Sequence, residues 1–341
     1  MAMAMAMETT TTTTRRKIIV DTDPGVDDAL TIFAALLCPE VEVIGLTTIF
    51  GNVPTAKATK NALGLLELAG RTDVPVASGS PCTFTGEEKL RIADFVHGDD
   101  GLGNTGELKP PPTATELGVS ASQFIIDTAE KHPGEVIVLA LGPLTNLAMA
   151  LKEKPDLALH SIVCLGGAFR VNGNVNPSAE ANIFCDPEAA DFVFGGSVDM
   201  HVIPLDVTQR CVFSNMDLDL LEAKGGTLGK YMKDISQFYA DFHKTTYNLN
   251  GLMLHDPTAF IAIVRPDLFF WKSGPIRVSC EGIAKGMTVM DMNKKVWRGP
   301  NQWSGRKHMK VALEVDEGAV VGAIRDTLLS QEPQKLYYSM K

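Results

Sequence analysis

Lys17-Ile18-Ile19-Val20 is a short apolar run that passes directly into Asp21-Thr22-Asp23-Pro24-Gly25-Val26-Asp27-Asp28-Ala29. The pattern is a buried strand, a tight turn at Pro24-Gly25, and the opening of a helix that Pro39 ends. Asp21, Asp23, Asp27 and Asp28 therefore crowd into one bend. That much negative charge is costly unless something neutralises it. The unpaired amides of a helix N-terminus can take one or two carboxylates. The remainder call for a cation, and all-oxygen donors suit a hard one, Ca²⁺ or Mg²⁺. An EF-hand loop does not fit, because counting from Asp21 places Gly25 fifth and Val26 sixth. A phosphotransferase that opens on Asp-x-Asp also fits poorly, since Pro24-Gly25 forces a turn where that pattern has a small spacer.

Further on, strands are expected at Val41–Phe50, around Val74–Ala77, and at Val136–Leu141, Ser161–Leu165 and Met200–Leu205. They alternate with helices over Thr55–Ala69, Ala121–Lys131, Leu144–Lys152 and Pro187–Phe194. Such alternation predicts an α/β fold: an open, mostly parallel central sheet, doubly wound in the Rossmann manner and flanked by helices. Sheets of this kind take ligands in the crevice beyond the carboxyl ends of the strands, where the aspartate turn, Asn52 and the Leu141 carbonyl all fall. Ser214–Asn250 is expected to be helical, Phe269–Val315 strand-like, and Asp316–Leu329 a closing helix. Asp256 before Pro257 has the form of an N-cap.

With 341 residues, 45% of them apolar, the chain can bury a large core. A formal charge of −10 argues against a nucleic-acid or anionic-membrane partner and is compatible with a small neutral substrate. Six cysteines scattered without a Cys-x-x-Cys pair suit buried thiols in a reducing, cytoplasmic setting. The Met/Ala/Thr-rich start lacks a signal-peptide core, so residues 1–16 are expected to be a disordered extension and 17–341 a single domain.

The aspartate turn resembles the signature of the nucleoside hydrolases, the inosine–uridine preferring nucleoside N-ribohydrolase family. The resemblance extends through Phe50-Gly51-Asn52, His97-Gly98, Leu141-Gly142-Pro143-Leu144-Thr145-Asn146, Gly173-Asn174, Glu180-Ala181-Asn182 and His255-Asp256-Pro257. It implies hydrolysis of ribonucleosides of the uridine, inosine and xanthosine class to free base and ribose, with a bound Ca²⁺. By position it implies metal ligation by Asp23, Asp28, Asp256 and the carbonyl of Leu141. It also makes Asp23 the base that activates water and His255 the donor to the departing base. Asp27, Asn52, Asn174, Glu180 and Asn182 would hold the ribose hydroxyls. His97 would orient the base or close a loop. Tyr247, and Tyr239 with it, would reach the base, although helical spacing of aromatics equally describes core packing. Family members are dimers or tetramers, so a homodimer or homotetramer is expected. The alternatives are a non-catalytic ribonucleoside-binding protein and a Mg²⁺-dependent phosphatase; the second would want a Lys or Arg aimed at phosphate, and none stands beside these motifs.

Overall fold

The computed structural model describes residues 15–88, 92–106, 112–293 and 295–330. The Met/Ala/Thr tract of the expected extension, residues 1–14, lies outside them, and Arg16 already belongs to the first strand.

The first units are β1 (Arg16–Thr22), α1 (Val26–Leu37), β2 (Val41–Thr48), α2 (Thr55–Leu68) and β3 (Val76–Ser78). A single helical turn, α3 (Asp94–His97), stands in the loop-rich stretch that follows. The alternation resumes with α4 (Ala121–Lys131), β4 (Val136–Ala140), α5 (Thr145–Glu153) and β5 (Ser161–Leu165). Next come α6 (Ala181–Cys185), α7 (Pro187–Val193), β6 (Met200–Ile203) and the one-turn α8 (Leu205–Thr208). The short strands β7 (Val212–Phe213) and β8 (Leu252–Met253) pair antiparallel and bracket α9 (Asn215–Lys224) and α10 (Gly226–Tyr247). The chain closes through α11 (His255–Val264), β9 (Phe269–Gly274), β10 (Ile276–Val278), β11 (Thr288–Met290), β12 (Met309–Val315) and α12 (Glu317–Leu329).

Eight strands form one sheet in the order β3-β2-β1-β4-β5-β6-β12-β9, parallel throughout except for β9 at the edge. Strand residues alternate between two cores, as the period of two requires. Ile18, Val20, Ile137 and Leu139 pack under α1, α2, α11 and α12, while Ile19, Val136 and Val138 pack under α4, α5 and α7. The strand order reverses between β1 and β4. That switch point opens a crevice at the carboxyl ends of both strands, and it puts the aspartate turn beside Leu141.

Two expectations are refined in detail. Ser214–Asn250 is helical as expected, but Gly226 takes a left-handed backbone (φ +61°) and divides it into α9 and α10. Asp256 is not an N-cap. The helix α11 starts two residues before Pro257, at His255, with Leu254 in the cap position. The Asp256 carboxylate is thus not spent on capping.

Away from the crevice, Asp191 on α7 accepts from Arg277 Nε (2.9 Å) and Nη2 (3.0 Å), from the Val278 N–H (2.9 Å) and from Arg306 Nη2 (2.7 Å). Burial pushes this carboxyl up, but the Arg277, Val278 and Arg306 bonds outweigh it and hold it below its usual value. A depressed folded-state value means stability that is present above the unfolded carboxyl's pKa and is lost as pH falls through the folded one. Asp191→Asn is expected to cost about 3 kcal/mol near pH 7, since it leaves two guanidinium groups short of a counter-charge. Urea denaturation is expected to show the gap narrowing as the pH is taken down to about 4 and below. A gap of constant size across that range would count against the ion pairs as its source.

Candidate active site

Pro24-Gly25 turns the chain so that Asp27 and Asp28 fall in the first turn of α1, where Asp28 Oδ2 accepts from the Gly25 N–H at 2.9 Å. Thr22 Oγ1 donates to the other Asp28 oxygen. At the end of β2, Asn52 ties two of the acids together: its backbone N–H donates to Asp23 Oδ2 (2.6 Å) and its Nδ2 to Asp28 Oδ2 (3.0 Å). Asp23 fits there only because its neighbours lack side chains. A Cβ on Gly51 would stand 1.9 Å from Asp23 Oδ2, and one on Gly142 would stand 2.7 Å from Oδ1. Asp21 points elsewhere, accepting from Thr47 Oγ1 (2.6 Å) and Asn146 Nδ2 (2.8 Å), and so pins β1 to β2 and α5. It is the one member of the acidic turn that serves the scaffold.

Asp256 reaches the same point from α11. One carboxylate oxygen from each of Asp27, Asp28 and Asp256 lies within 4.8 Å of the others. All three are buried. Burial first, and the Asp28 charge second, push Asp27 up to about 8. Burial also raises Asp28. Asp256 is raised well above its usual value by burial and then by the charges of Asp27, Asp28 and Asp23. Such a group cannot stay ionised at neutral pH without a counter-charge. Carboxylate oxygens plus the carbonyl of Leu141 on the cavity wall are a donor set suited to a hard divalent cation, so the residues present fit a metal ion. The geometric cluster holds Asp27 where the resemblance implied Asp23; Asn52 nevertheless keeps Asp23 adjacent to it.

Another part of the cavity lining comes from the loop after β5. Glu180 is the N-cap of α6, its carboxylate accepting from the N–H groups of Asn182 (2.8 Å), Ile183 (3.1 Å) and Gly167 (3.0 Å). Asn182 Nδ2 donates to the Leu141 carbonyl (2.5 Å). Asn174 Oδ1 accepts from the Ala181 N–H (2.9 Å), which ties the asparagine-rich loop down. Asn52, Asn174, Glu180 and Asn182 line the same cavity as Asp27 and Asp256.

A further part of the lining is aromatic. His97 Nδ1 accepts from the Val26 N–H (3.2 Å), and its ring stacks on Tyr239 at 5.0 Å between centroids. Tyr239 points its hydroxyl at Asp27 (3.4 Å) and meets His243 edge-on at 4.3 Å. His243 in turn stacks on Tyr247 (5.7 Å) and stands 6.5 Å from His255. Burial, then the His243 charge, pushes His97 down to about 3. Burial, then His243 and His97, pushes His255 down to about 3 as well. Both rings are therefore neutral at neutral pH.

Every residue singled out from the sequence thus falls on or beside one cavity, apart from Asp21. His243 and Phe242 also line it and were not singled out. A signal for His243 was present: Tyr239, His243 and Tyr247 are spaced four apart, which places them on one face of α10. Thr208, bonded to His255, had no sequence signal because its partner is 47 residues away.

The chain matches the model of the inosine-uridine preferring nucleoside hydrolase family over residues 18–322. It is 50% identical over 317 residues to a protein of Arabidopsis thaliana named "Probable uridine nucleosidase 2", an alignment covering 92% of this chain and 98% of that one. The solved structure of a plant nucleoside hydrolase, the PpNRh1 enzyme, superposes with a TM-score of 0.91 at 45% identity, covering 93% of this chain and all of that one. A purine-preferring ribonucleoside hydrolase from Gardnerella vaginalis superposes with a TM-score of 0.85 at 34% identity, covering 92% and 98%. With an acid-lined cavity at the switch point and a match from the first strand into the closing helix, the chain belongs to the inosine-uridine preferring nucleoside hydrolase family and is a nucleoside N-ribohydrolase.

Proposed function

We propose that the enzyme hydrolyses ribonucleosides of the uridine, inosine and xanthosine class with Ca²⁺ as its resident ion, in nucleoside salvage or catabolism. The observation that carries this is the composition of one cavity. Its lining brings together Asp27 and Asp256 of a buried carboxylate cluster, the amides of Asn52, Asn174 and Asn182 with Glu180, and two neutral imidazoles with tyrosines. Asp23, Asp28, Asp256 and the Leu141 carbonyl would hold the ion, with Asp27 close enough to join them. When bound, Ca²⁺, which accepts six to eight oxygens in loose geometry, would supply the counter-charge these carboxylates need, Lewis acidity toward a bound water, and room in its shell for a ribose diol.

The protein groups divide the remaining work. Asp23 takes the proton of the attacking water as the new C–O bond forms. Asn52, Asn174, Glu180 and Asn182 hold the ribose hydroxyls, and the negative end of Glu180 favours the oxocarbenium-like sugar of the transition state. Because His255 is neutral, what it brings to the departing base is an N–H donor beside the atom where negative charge develops. His97 and Tyr239 form a flat stacked platform, with Tyr247 and His243 beyond it, on which a nucleobase can lie. Attack by water without a covalent sugar intermediate gives inversion at the anomeric carbon.

Uridine stands first among the proposed substrates because a relative at 50% identity is named for it, and inosine stands with it in the family's name. Among the described residues no helix is long and apolar enough to cross a membrane. A cytoplasmic homodimer or homotetramer, folded as one domain from Arg16 onward, completes the proposal. The test is release of free base and ribose from uridine, inosine, xanthosine, adenosine and cytidine, with and without phosphate. Release from the first three in the absence of phosphate is the expected result. Release that requires phosphate, or none from any nucleoside by the folded, Ca²⁺-supplied protein, would overturn it.

A further inference from the structure

The one-turn α8 is wholly buried, and it is gripped from outside itself. The Leu205 N–H donates to the Gly167 carbonyl (2.9 Å), and the Asp206 carboxylate accepts from the N–H groups of Phe169 (2.9 Å) and Arg170 (2.8 Å). Its last residue, Thr208, is fully buried and places Oγ1 2.8 Å from His255 Nδ1. Four threonines placed a full turn or more into longer helices behave differently. The hydroxyls of Thr31, Thr59, Thr258 and Thr327 each donate to the carbonyl four residues back. Thr208 does not, and His255 Nδ1 is the partner of its hydroxyl among the described residues.

A buried O–H with no acceptor costs the full desolvation of that group. The Thr208 proton is not spent on its own helix, so it goes to Nδ1. In a neutral imidazole one nitrogen donates and the other accepts, and the partner of the first decides the role of the second. We infer that Thr208 is the positioning residue of His255, its hydroxyl donating to Nδ1 so that Nε2–H is the face presented to the cavity. A carboxylate in the same place would do the reverse, drawing the proton to Nδ1 and leaving Nε2 a lone pair toward the departing base. The inference rests on the reading of His255 as the base-side donor.

Two substrates separate the outcomes: uridine, whose base needs a hydrogen-bond donor to leave, and 4-nitrophenyl β-D-ribofuranoside, whose phenolate leaves unaided. Thr208→Val is expected to lower kcat on uridine by roughly 10- to 100-fold with KM within about threefold. The loss on the nitrophenyl riboside is expected to be about ten times smaller. Thr208→Ser returns the uridine rate to within about threefold, and Thr208→Val combined with His255→Ala is no worse than His255→Ala alone. Equal losses on both substrates, or losses that add to those of His255→Ala, would overturn the positioning role. If His255→Ala alone loses no more on uridine than on the nitrophenyl riboside, the base-side reading of His255 falls, and the role of Thr208 falls with it. Thermal midpoints are read for each variant, and Thr208→Ala carries the same comparison should the valine variant not fold.

Discussion

Asp23→Asn is expected to lower kcat on uridine by at least about 10³-fold while the nucleoside still binds in saturating Ca²⁺. The substitution is nearly isosteric, and the amide oxygen can still accept from the Asn52 N–H that now bonds Asp23 Oδ2 at 2.6 Å. The turn therefore keeps its shape. What is lost is an oxygen basic enough to take a proton from water, and a positioned general base contributes about 10²–10⁴ in rate. The close approach that Gly51 and Gly142 allow leaves no space for a substitute carboxylate at that position. Single-turnover assays with isothermal titration of uridine separate the two quantities. A variant that keeps kcat within about tenfold of the parent would remove Asp23 from the role of base. One that loses binding together with turnover would assign it to holding the ion or the sugar instead.

Removal of the metal is expected to have an equally large effect, and by a different route. Dialysis against a chelator selective for Ca²⁺ is expected to abolish turnover and to lower the thermal midpoint by a few degrees. Asp27, Asp28 and Asp256 are buried with their oxygens within 4.8 Å of one another, and burial raises all three. An ion that binds the folded chain alone stabilises it by about 2.7 kcal/mol at a hundredfold excess over its Kd. Adding Ca²⁺ back is expected to restore both readouts. Mg²⁺ is expected to restore less activity, because it holds its waters tightly and resists exchanging them for a ribose diol. Full activity in the chelator, with metal analysis showing less than about one-tenth of an ion per chain, would refute the metal role.

Much of this site was written in short sequence. The turn Asp21–Ala29 states its own strand, its own bend at Pro24-Gly25 and its own surplus of negative charge, because all three depend on neighbours a few residues apart. The parallel sheet follows from alternation of apolar runs with helical ones, and a parallel sheet has only one end at which its loops can collect ligands. The linear order of motifs carries the family, and the family carries the names of the residues.

What the chain could not state by itself was mutual placement. The pairing of Asp23 and Asp28 through Asn52, the arrival of Asp256 from a helix that starts two residues earlier than its proline suggested, and the confinement of Asp21 to the scaffold all depend on the order of strands in the sheet. Ionisation is equally a tertiary property. A histidine beside an aspartate in sequence invites the reading of a proton store, yet burial and two neighbouring imidazoles leave His255 neutral. His243 reaches it only because α10 packs across the crevice. Local pattern determines which groups are present and which element bears them. The energy of a charge depends on everything within a few ångströms, and only the folded chain decides what that is.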